Sequence, residues 1–407
     1  MANLKYFKSF VLDMQKKDTW KLNRNIILLG IVSFLTDVSS EMIFSVFSIF
    51  FTVILGASVF LLGVVEGLAD FSASALDYVS GFLSDRTGKR KKYAILGYGF
   101  STIAKSILLV ANSVLSVFVF RIVERLGKSF RGPPRDAWIG SLAPKKIRGY
   151  AFGVHKALDK SGAILGPLIA YAILYYFGQN LPAFKMLFIA ALVPAAAAVI
   201  LLFFIKEKYS KPKKSKNPFL SFKFMKADFR HYLATAGIFS LAYFSFGFLL
   251  LKAYLVGFEI KDVVLLYALF NVAFVIAAPL IGKLGDFIGR KKIVLFGYFT
   301  YFIMSMGFLL ATTKFETVLL FVLFGIFYAI DESQSKAYIS DMEKSRRATA
   351  IGIYNFVTGL IYLPASIIAG LLWRINPNLT FAFAAVISIA TILFFMIKKK
   401  RKQNGKP

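Results

Sequence analysis

Two stretches decide the reading: GFLSDRTGKRKK, starting at Gly81, and GKLGDFIGRKK, starting at Gly282 about 200 residues later. Each follows one long apolar run and leads into another. Both begin with glycine, carry an aspartate four residues on, and close on glycine and a basic cluster. A second pair, RGYAFG from Arg148 and RATAIG from Arg347, repeats at nearly the same interval. Similar segments at matched places mark an internal duplication, which in membranes is the signature of two helical bundles with a site between them.

The 407 residues are 57% apolar and only 17% charged, with mean hydropathy +0.66, too greasy for a soluble chain of this size. About 20 apolar residues cross a bilayer as a helix. That ruler places twelve spans, at 25–54, 58–80, 92–112, 114–141, 148–177, 184–205, 232–256, 262–282, 292–312, 316–340, 347–373 and 378–397. The expected fold is an all-α membrane protein of twelve transmembrane helices in two pseudo-symmetric six-helix bundles. A cytoplasmic segment, 1–24, precedes the first bundle, 25–205. A basic linker, 206–231, joins it to the second bundle, 232–397, and a basic tail, 398–407, follows.

Fifty Lys and Arg against 21 Asp and Glu give a net charge of +29. In a soluble chain that excess would point to nucleic acid. Here the basic residues gather in alternate loops, the positive-inside pattern, which assigns them to anionic lipid and puts both termini in the cytoplasm. The expectation is a multi-pass protein of the inner or plasma membrane, acting as a monomer, with no nucleic-acid partner. Zero cysteines exclude disulfides and thiolate metal sites, and two histidines are too few for an all-His zinc site. No metal or cofactor is expected.

At these residues the chain resembles the major facilitator superfamily, over essentially its whole length. That family's diagnostic loop is Gly-x-Leu-x-Asp-Arg/Lys-x-Gly-Arg/Lys-Arg/Lys. Gly81, Leu83, Asp85, Arg86, Gly88, Lys89 and Arg90 fill it; the second copy keeps Gly282, Leu284, Asp286, Gly289, Arg290 and Lys291 but has Phe287 at the first basic place. Glycines permit a tight turn, and Asp85 can sit at a helix N-terminus and pair with basic residues, forming a latch that a conformational change could break. Gly153, Gly162, Gly166 and Pro167 are similar to the start of the family's antiporter motif, which implies a bending or sealing role for span five and favours export; Leu168 to Tyr171 replace the closing glycines. Plain small-residue packing explains the same pattern. Arg121 stands where the family has a membrane-embedded arginine, and Arg125 where it usually has glycine.

A charge deep in a bilayer costs about 2.5 to 3.5 kcal/mol on insertion scales, so each needs a partner or a wet cavity. Asp37 and Glu41 share one face of span one, and Glu66, Asp70 and Asp77 one stripe of span two. Span four answers with Arg121, Glu124, Arg125, Lys128 and Arg131 before Pro133-Pro134 interrupts it, and span five with Lys156, Asp159 and Lys160. The second bundle is sparer, with Lys252, Asp331, Glu332 and Lys336. Spans nine and twelve carry no internal charge and span three only Lys105, as outer helices should.

A carboxylate in a low-dielectric cavity can take a proton facing one side and lose it facing the other. Asp37, Glu41, Glu66 and Asp70 are the coupling candidates; static ion pairs account for each of them equally well. Arg121, Glu124, Arg125, Lys156, Asp159, Asp331 and Glu332 are the substrate and cavity candidates, their cations pointing to an anionic or zwitterionic group. The resulting reading is a secondary active transporter of a small organic solute working by alternating access, its partners protons and the solute, with proton-coupled efflux ahead of proton-coupled import of an organic anion. A polytopic receptor or enzyme is the reading from another class. No Walker loop, metal triad or catalytic dyad supports an enzyme.

Overall fold

The computed structural model describes residues 22–111, 113–143, 148–207, 225–343 and 347–397. The N-terminal segment up to Lys21, the linker from Lys208 to Phe224 and the basic tail lie outside the described residues, as does the side chain of Asp85. Among the described residues thirteen α-helices form: α1 Arg24–Ile49, α2 Val59–Thr87, α3 Arg90–Ile107, α4 Val114–Leu142, α5 Arg148–Phe177, α6 Leu181–Phe204, α7 Ala227–Ser240, α8 Gly247–Leu255, α9 Ile260–Ile288, α10 Arg290–Leu310, α11 Lys314–Met342, α12 Arg347–Ile375 and α13 Pro377–Met396. Helices α1 to α6 are the first six spans, α7 and α8 are two pieces of the seventh, and α9 to α13 are the last five. Among the described residues nine helical spans are long and apolar enough to cross a membrane by length and composition. Charges in α4 and α11, and the break in the seventh span, set the other three apart.

Local chemistry sets the helix ends. Ser58, Ser113 and Asn180 accept backbone N–H bonds at the starts of α2, α4 and α6, and Thr313 with Glu316 forms a reciprocal capping box on α11. Gly88 (φ 68°) stops α2 and Gly289 (φ 95°) separates α9 from α10, so the last glycine of each loop makes the turn. Gly81 and Gly282 lie inside helices instead.

Two expectations about span continuity fail. Span seven is not one helix: it unwinds over Leu241 to Phe246, a stretch with neither proline nor glycine. Its irregular backbone finds other partners, the Tyr301 hydroxyl donating to the Ala242 carbonyl at 2.8 Å and the Gly247 N–H to Ser245 Oγ at 3.2 Å. Non-helical backbone at membrane depth survives where protein groups satisfy it. Conversely, Pro133-Pro134 does not break span four. Proline at 133 removes the N–H that would reach the Ser129 carbonyl, and the hydroxyl of Ser80 on α2 donates to that carbonyl at 2.7 Å.

The two halves repeat one packing scheme: α1 packs on α5 and α6, α3 on α4 and α6, and α2 on α4, while α7 packs on α12 and α13, α10 on α11 and α13, and α9 on α11. Two seams join the halves, α2 with α12 and α5 with α9. Small residues bring the first seam together. A Cβ on Gly63 would collide with the Ser366 carbonyl, one on Gly67 would lie 3.0 Å from the Leu363 carbonyl, and one on Gly370 2.9 Å from Phe60 Cα. At the second seam, Gln179 donates to Glu259 at 3.1 Å and accepts from the Lys261 N–H at 3.2 Å. The hydrogen bond from Lys261 holds the Glu259 carboxyl below the usual carboxylate range. Its contribution to the tie is therefore present above that range and lost as the pH falls through the lowered value. All these contacts lie at the end remote from the basic loops, which is thereby sealed.

Lys105 is the charge that span three carries inside its apolar run. It is 1% exposed and donates to Ser39 at 2.7 Å and Ser40 at 3.1 Å, so α3 presents its charge to α1 rather than to lipid.

Ser80→Ala leaves the Ser129 carbonyl without a donor and should cost about 1 to 3 kcal/mol. In a Pro133→Ala background, where residue 133 regains its N–H, the same change should cost a fraction of that. Thermal unfolding of the four proteins in detergent tests the pair, and equal losses in both backgrounds would refute the assignment.

Candidate functional site

Between the halves lies a cavity of about 580 Å³. Its deep end is closed by Ser48, Leu62, Gly247 and Leu250, and it widens toward the basic end, where Asp77, Lys128 and Lys156 are exposed. The first half supplies an ionised wall, with Asp37 and Glu41 from α1, Glu66, Asp70 and Asp77 from α2, Arg121, Arg125, Lys128, Arg131 and Arg135 from α4, and Lys156, Asp159 and Lys160 from α5. The second half supplies an aromatic wall that includes Tyr243, Phe246, Tyr267, Phe324, Tyr328 and Tyr362, with Asp331 and Glu332 its two charges. Of the sequence-derived coupling and cavity candidates, all but Glu124 line this space.

Glu124 is 0% exposed and lies behind the wall, its carboxylate 3.6 Å from Arg121 and accepting no hydrogen bond among the described residues. The 100° step that puts it on the stripe of Arg121 and Arg125 leaves it at the stripe's edge, facing α3. Arg135, which follows the two prolines, is instead brought into the cavity because α4 continues. It donates to Ser33 at 3.0 Å and lies 3.9 Å from Asp159.

The three cations expected to meet an anionic substrate are each paired. Arg121 donates twice to Glu66, at 2.7 Å for both bonds, and its guanidinium stacks over Phe44 at 4.4 Å. Arg125 meets Asp70 at 2.8 Å, and Lys156 meets Asp159 at 3.1 Å. Span two thus neutralises span four directly. Span one does not do the same for span five: among the described residues Asp37 and Glu41 make no ion pair.

Two of these carboxylates reach across the molecule. The Tyr267 hydroxyl on α9 donates to Glu41, and Ser245, in the unwound part of span seven, donates to Glu66 Oε2 at 3.3 Å. Neither Tyr267 nor Ser245 carried a signal in the sequence, since a lone hydroxyl in an apolar run has no periodicity to read. Gly162 and Gly166 stand beside the same acidic residues. A Cβ on Gly162 would run into the Phe34 carbonyl and lie 3.1 Å from Asp37 Cβ; one on Gly166 would lie 2.6 Å from the Val38 carbonyl and 3.1 Å from Glu41 Cβ. These glycines let α5 lie against α1, and α5 runs as a helix through Pro167.

In the conserved-spacing loops the aspartates fall in the last turns of α2 and α9 rather than at helix N-termini. Asp286 pairs with Arg290 at 2.8 Å, and Arg290 also reaches Asp341 on α11 at 3.2 Å, a partner the sequence did not reveal. In the first loop Arg90 is buried and Arg86 exposed.

The profile of the Major Facilitator Superfamily matches residues 29–264 and 256–407. An uncharacterized MFS-type transporter of Methanocaldococcus jannaschii is 36% identical over 384 residues, 92% of this chain and 95% of the relative. Multidrug resistance protein 2 of Bacillus subtilis is 26% identical over 338 residues, 79% and 82% of the two chains. Among solved structures, a nucleoside transporter superimposes with TM-score 0.74 at 14% identity, over 92% of this chain and all of its own.

Removing one member of a buried pair strands the other, at about 3 to 5 kcal/mol, whereas replacing both by apolar groups costs far less. Arg121→Met should therefore lower the unfolding temperature in detergent sharply, and adding Glu66→Met should restore part of the loss, the remainder belonging to Glu124, which also loses its neighbouring guanidinium. A double variant less stable than the single would contradict the pairing.

Proposed function

The chain belongs to the major facilitator superfamily, a family of multi-pass membrane transporters, and from that premise we propose that it exports a small organic solute in exchange for protons. The observation that carries this reading is a cavity sealed at one end by the α2–α12 and α5–α9 seams and open at the other, with carboxylates at the junction of the halves. The halves, 25–205 and 232–397, rock about that cavity as a monomer in the cell membrane. The positive-inside distribution of the basic loops supports a cytoplasmic open end and cytoplasmic termini. The state described is then inward-facing, ready to load a solute for export. The printed name of the Bacillus subtilis relative, a multidrug resistance protein, favours the same direction.

Proton coupling is assigned to Asp37, Glu41, Glu66 and Asp70. Glu41 and Glu66 support it best, because each accepts a hydrogen bond from the opposite half. A proton arriving on either changes the bond that holds the halves together, so charge and conformation are exchanged in one event. Import of an organic anion draws less support, since Arg121, Arg125 and Lys156 already have carboxylate partners.

Energised inside-out vesicles carrying a pH-sensitive acridine dye test this reading. Adding ethidium, as a probe solute, should dissipate the pH gradient. In Glu41→Gln that dissipation should fall at least tenfold while ethidium exchange without a gradient persists. Intact proton movement in both Glu41→Gln and Asp37→Asn would remove these residues from the coupling step.

A further inference from the structure

The cavity's two walls differ in kind, and the difference bears on what binds there. All seven basic side chains that line it come from the first half. Four of them, Arg121, Arg125, Arg135 and Lys156, are within ion-pairing distance of a carboxylate, and Arg131 is turned back to Ser101 and the face of Tyr98. The second half contributes Glu332, which pairs with Lys336 at 2.7 Å, and Asp331. Among the described residues Asp331 has no cation within 4 Å. Its recorded hydrogen bond is from the hydroxyl of Ser335 at 3.1 Å.

Lys160 supplies an independent observation. Its ammonium leaves α5, crosses the seam and rests 4.6 Å from the ring centre of Phe274 and 5.8 Å from that of Tyr328. Among the described residues it makes no ion pair. A cation is thus already held on the aromatic wall by ring faces, the interaction that also recognises weakly hydrated organic cations. Tyr328 lies three residues before Asp331 on α11, about one turn away.

Resting on the solute-carrier reading above, we infer that Asp331 with Tyr243, Tyr328 and Tyr362 forms a subsite for an organic cation, and that the Lys160 ammonium is a tethered competitor for it. An arriving aryl or quaternary cation takes the ring faces and the open carboxylate, and Lys160 withdraws into the wetter part of the cavity. The subsite differs from the coupling carboxylates: it is on the other half, and among the described residues Asp331 takes its hydrogen bond from its own helix, whereas Glu41 and Glu66 accept theirs from the opposite half.

Tetraphenylphosphonium and tetraphenylborate, nearly identical in shape and opposite in charge, separate recognition of charge from greasiness. Binding of labelled tetraphenylphosphonium to the full chain in nanodiscs, corrected with empty discs, should be displaced by the unlabelled cation and not by the borate. Asp331→Asn should weaken it at least tenfold, Asp331→Glu should retain most of it, and Lys160→Met should tighten it several-fold. Displacement by the borate, unchanged affinity in Asp331→Asn, or no gain in Lys160→Met would each overturn the subsite. Where Asp331→Asn does not fold, Lys160→Met decides. Should the binding pattern hold while proteoliposomes show no tetraphenylphosphonium counterflow, the carrier reading fails and the subsite stands. Counterflow that ignores Asp331 and Lys160 gives the reverse.

Discussion

The double hydrogen bond between Arg121 and Glu66 is the contact on which the first half turns. A guanidinium and a carboxylate, both more than nine-tenths buried, are tolerable in a membrane interior only as a pair of good geometry. The pair fixes α2 against α4, and that in turn brings Asp70 to Arg125 and Ser80 to the carbonyl that Pro133 leaves open. Its second carboxylate oxygen also accepts from Ser245, so the bond that neutralises the first half reaches the unwound helix of the second. Few kilocalories separate such a network intact from one with a stranded charge.

Much of this architecture was legible in the residue order. The paired loops from Gly81 and Gly282 reported the duplication, run length reported the spans, and 100° steps placed Asp37, Glu66 and Arg121 on inward faces. What was illegible depended on partners distant in sequence. Pro133-Pro134 reads as a break until Ser80 is seen to satisfy the freed carbonyl, and Leu241 to Phe246 reads as helix until the Tyr301 and Ser245 hydroxyls are seen to take up its backbone groups. Helical stripes also lack the resolution to separate lining from backing residues. Glu124, three positions from Arg121, lies at the stripe's edge and behind the wall, and Lys105 turns to Ser39 and Ser40.

The same misreading affected substrate chemistry. Counting cations on α4 and α5 points to an anion, because a sequence displays charges without their partners. Once Glu66, Asp70 and Asp159 are paired off, the first wall is nearly neutral internally, and its many charges serve insertion and the helix register more than recognition. Among the described residues the charges left without an ion partner are fewer, and on the second wall Asp331 is one of them. Asp331, in a sparsely charged half, is surrounded by rings that hide it from a composition count and make it more selective, since an aromatic wall rejects a hydrated anion and accepts a soft cation.

The asymmetry of the halves also bears on how they move. Duplicated halves with like packing can rock as rigid bodies only where their contacts are shallow, and at the α2–α12 seam glycines at 63, 67 and 370 meet backbone. Rigid seams alone would move without regard to cargo. The hydroxyls of Tyr267 and Ser245 make the difference, because they tie the aromatic half to Glu41 and Glu66 by bonds whose strength depends on the charge those carboxylates carry. A sliding surface of glycine and a small number of charge-dependent hydrogen bonds across it are together sufficient for a two-position device, the first lowering the barrier and the second setting which position is preferred.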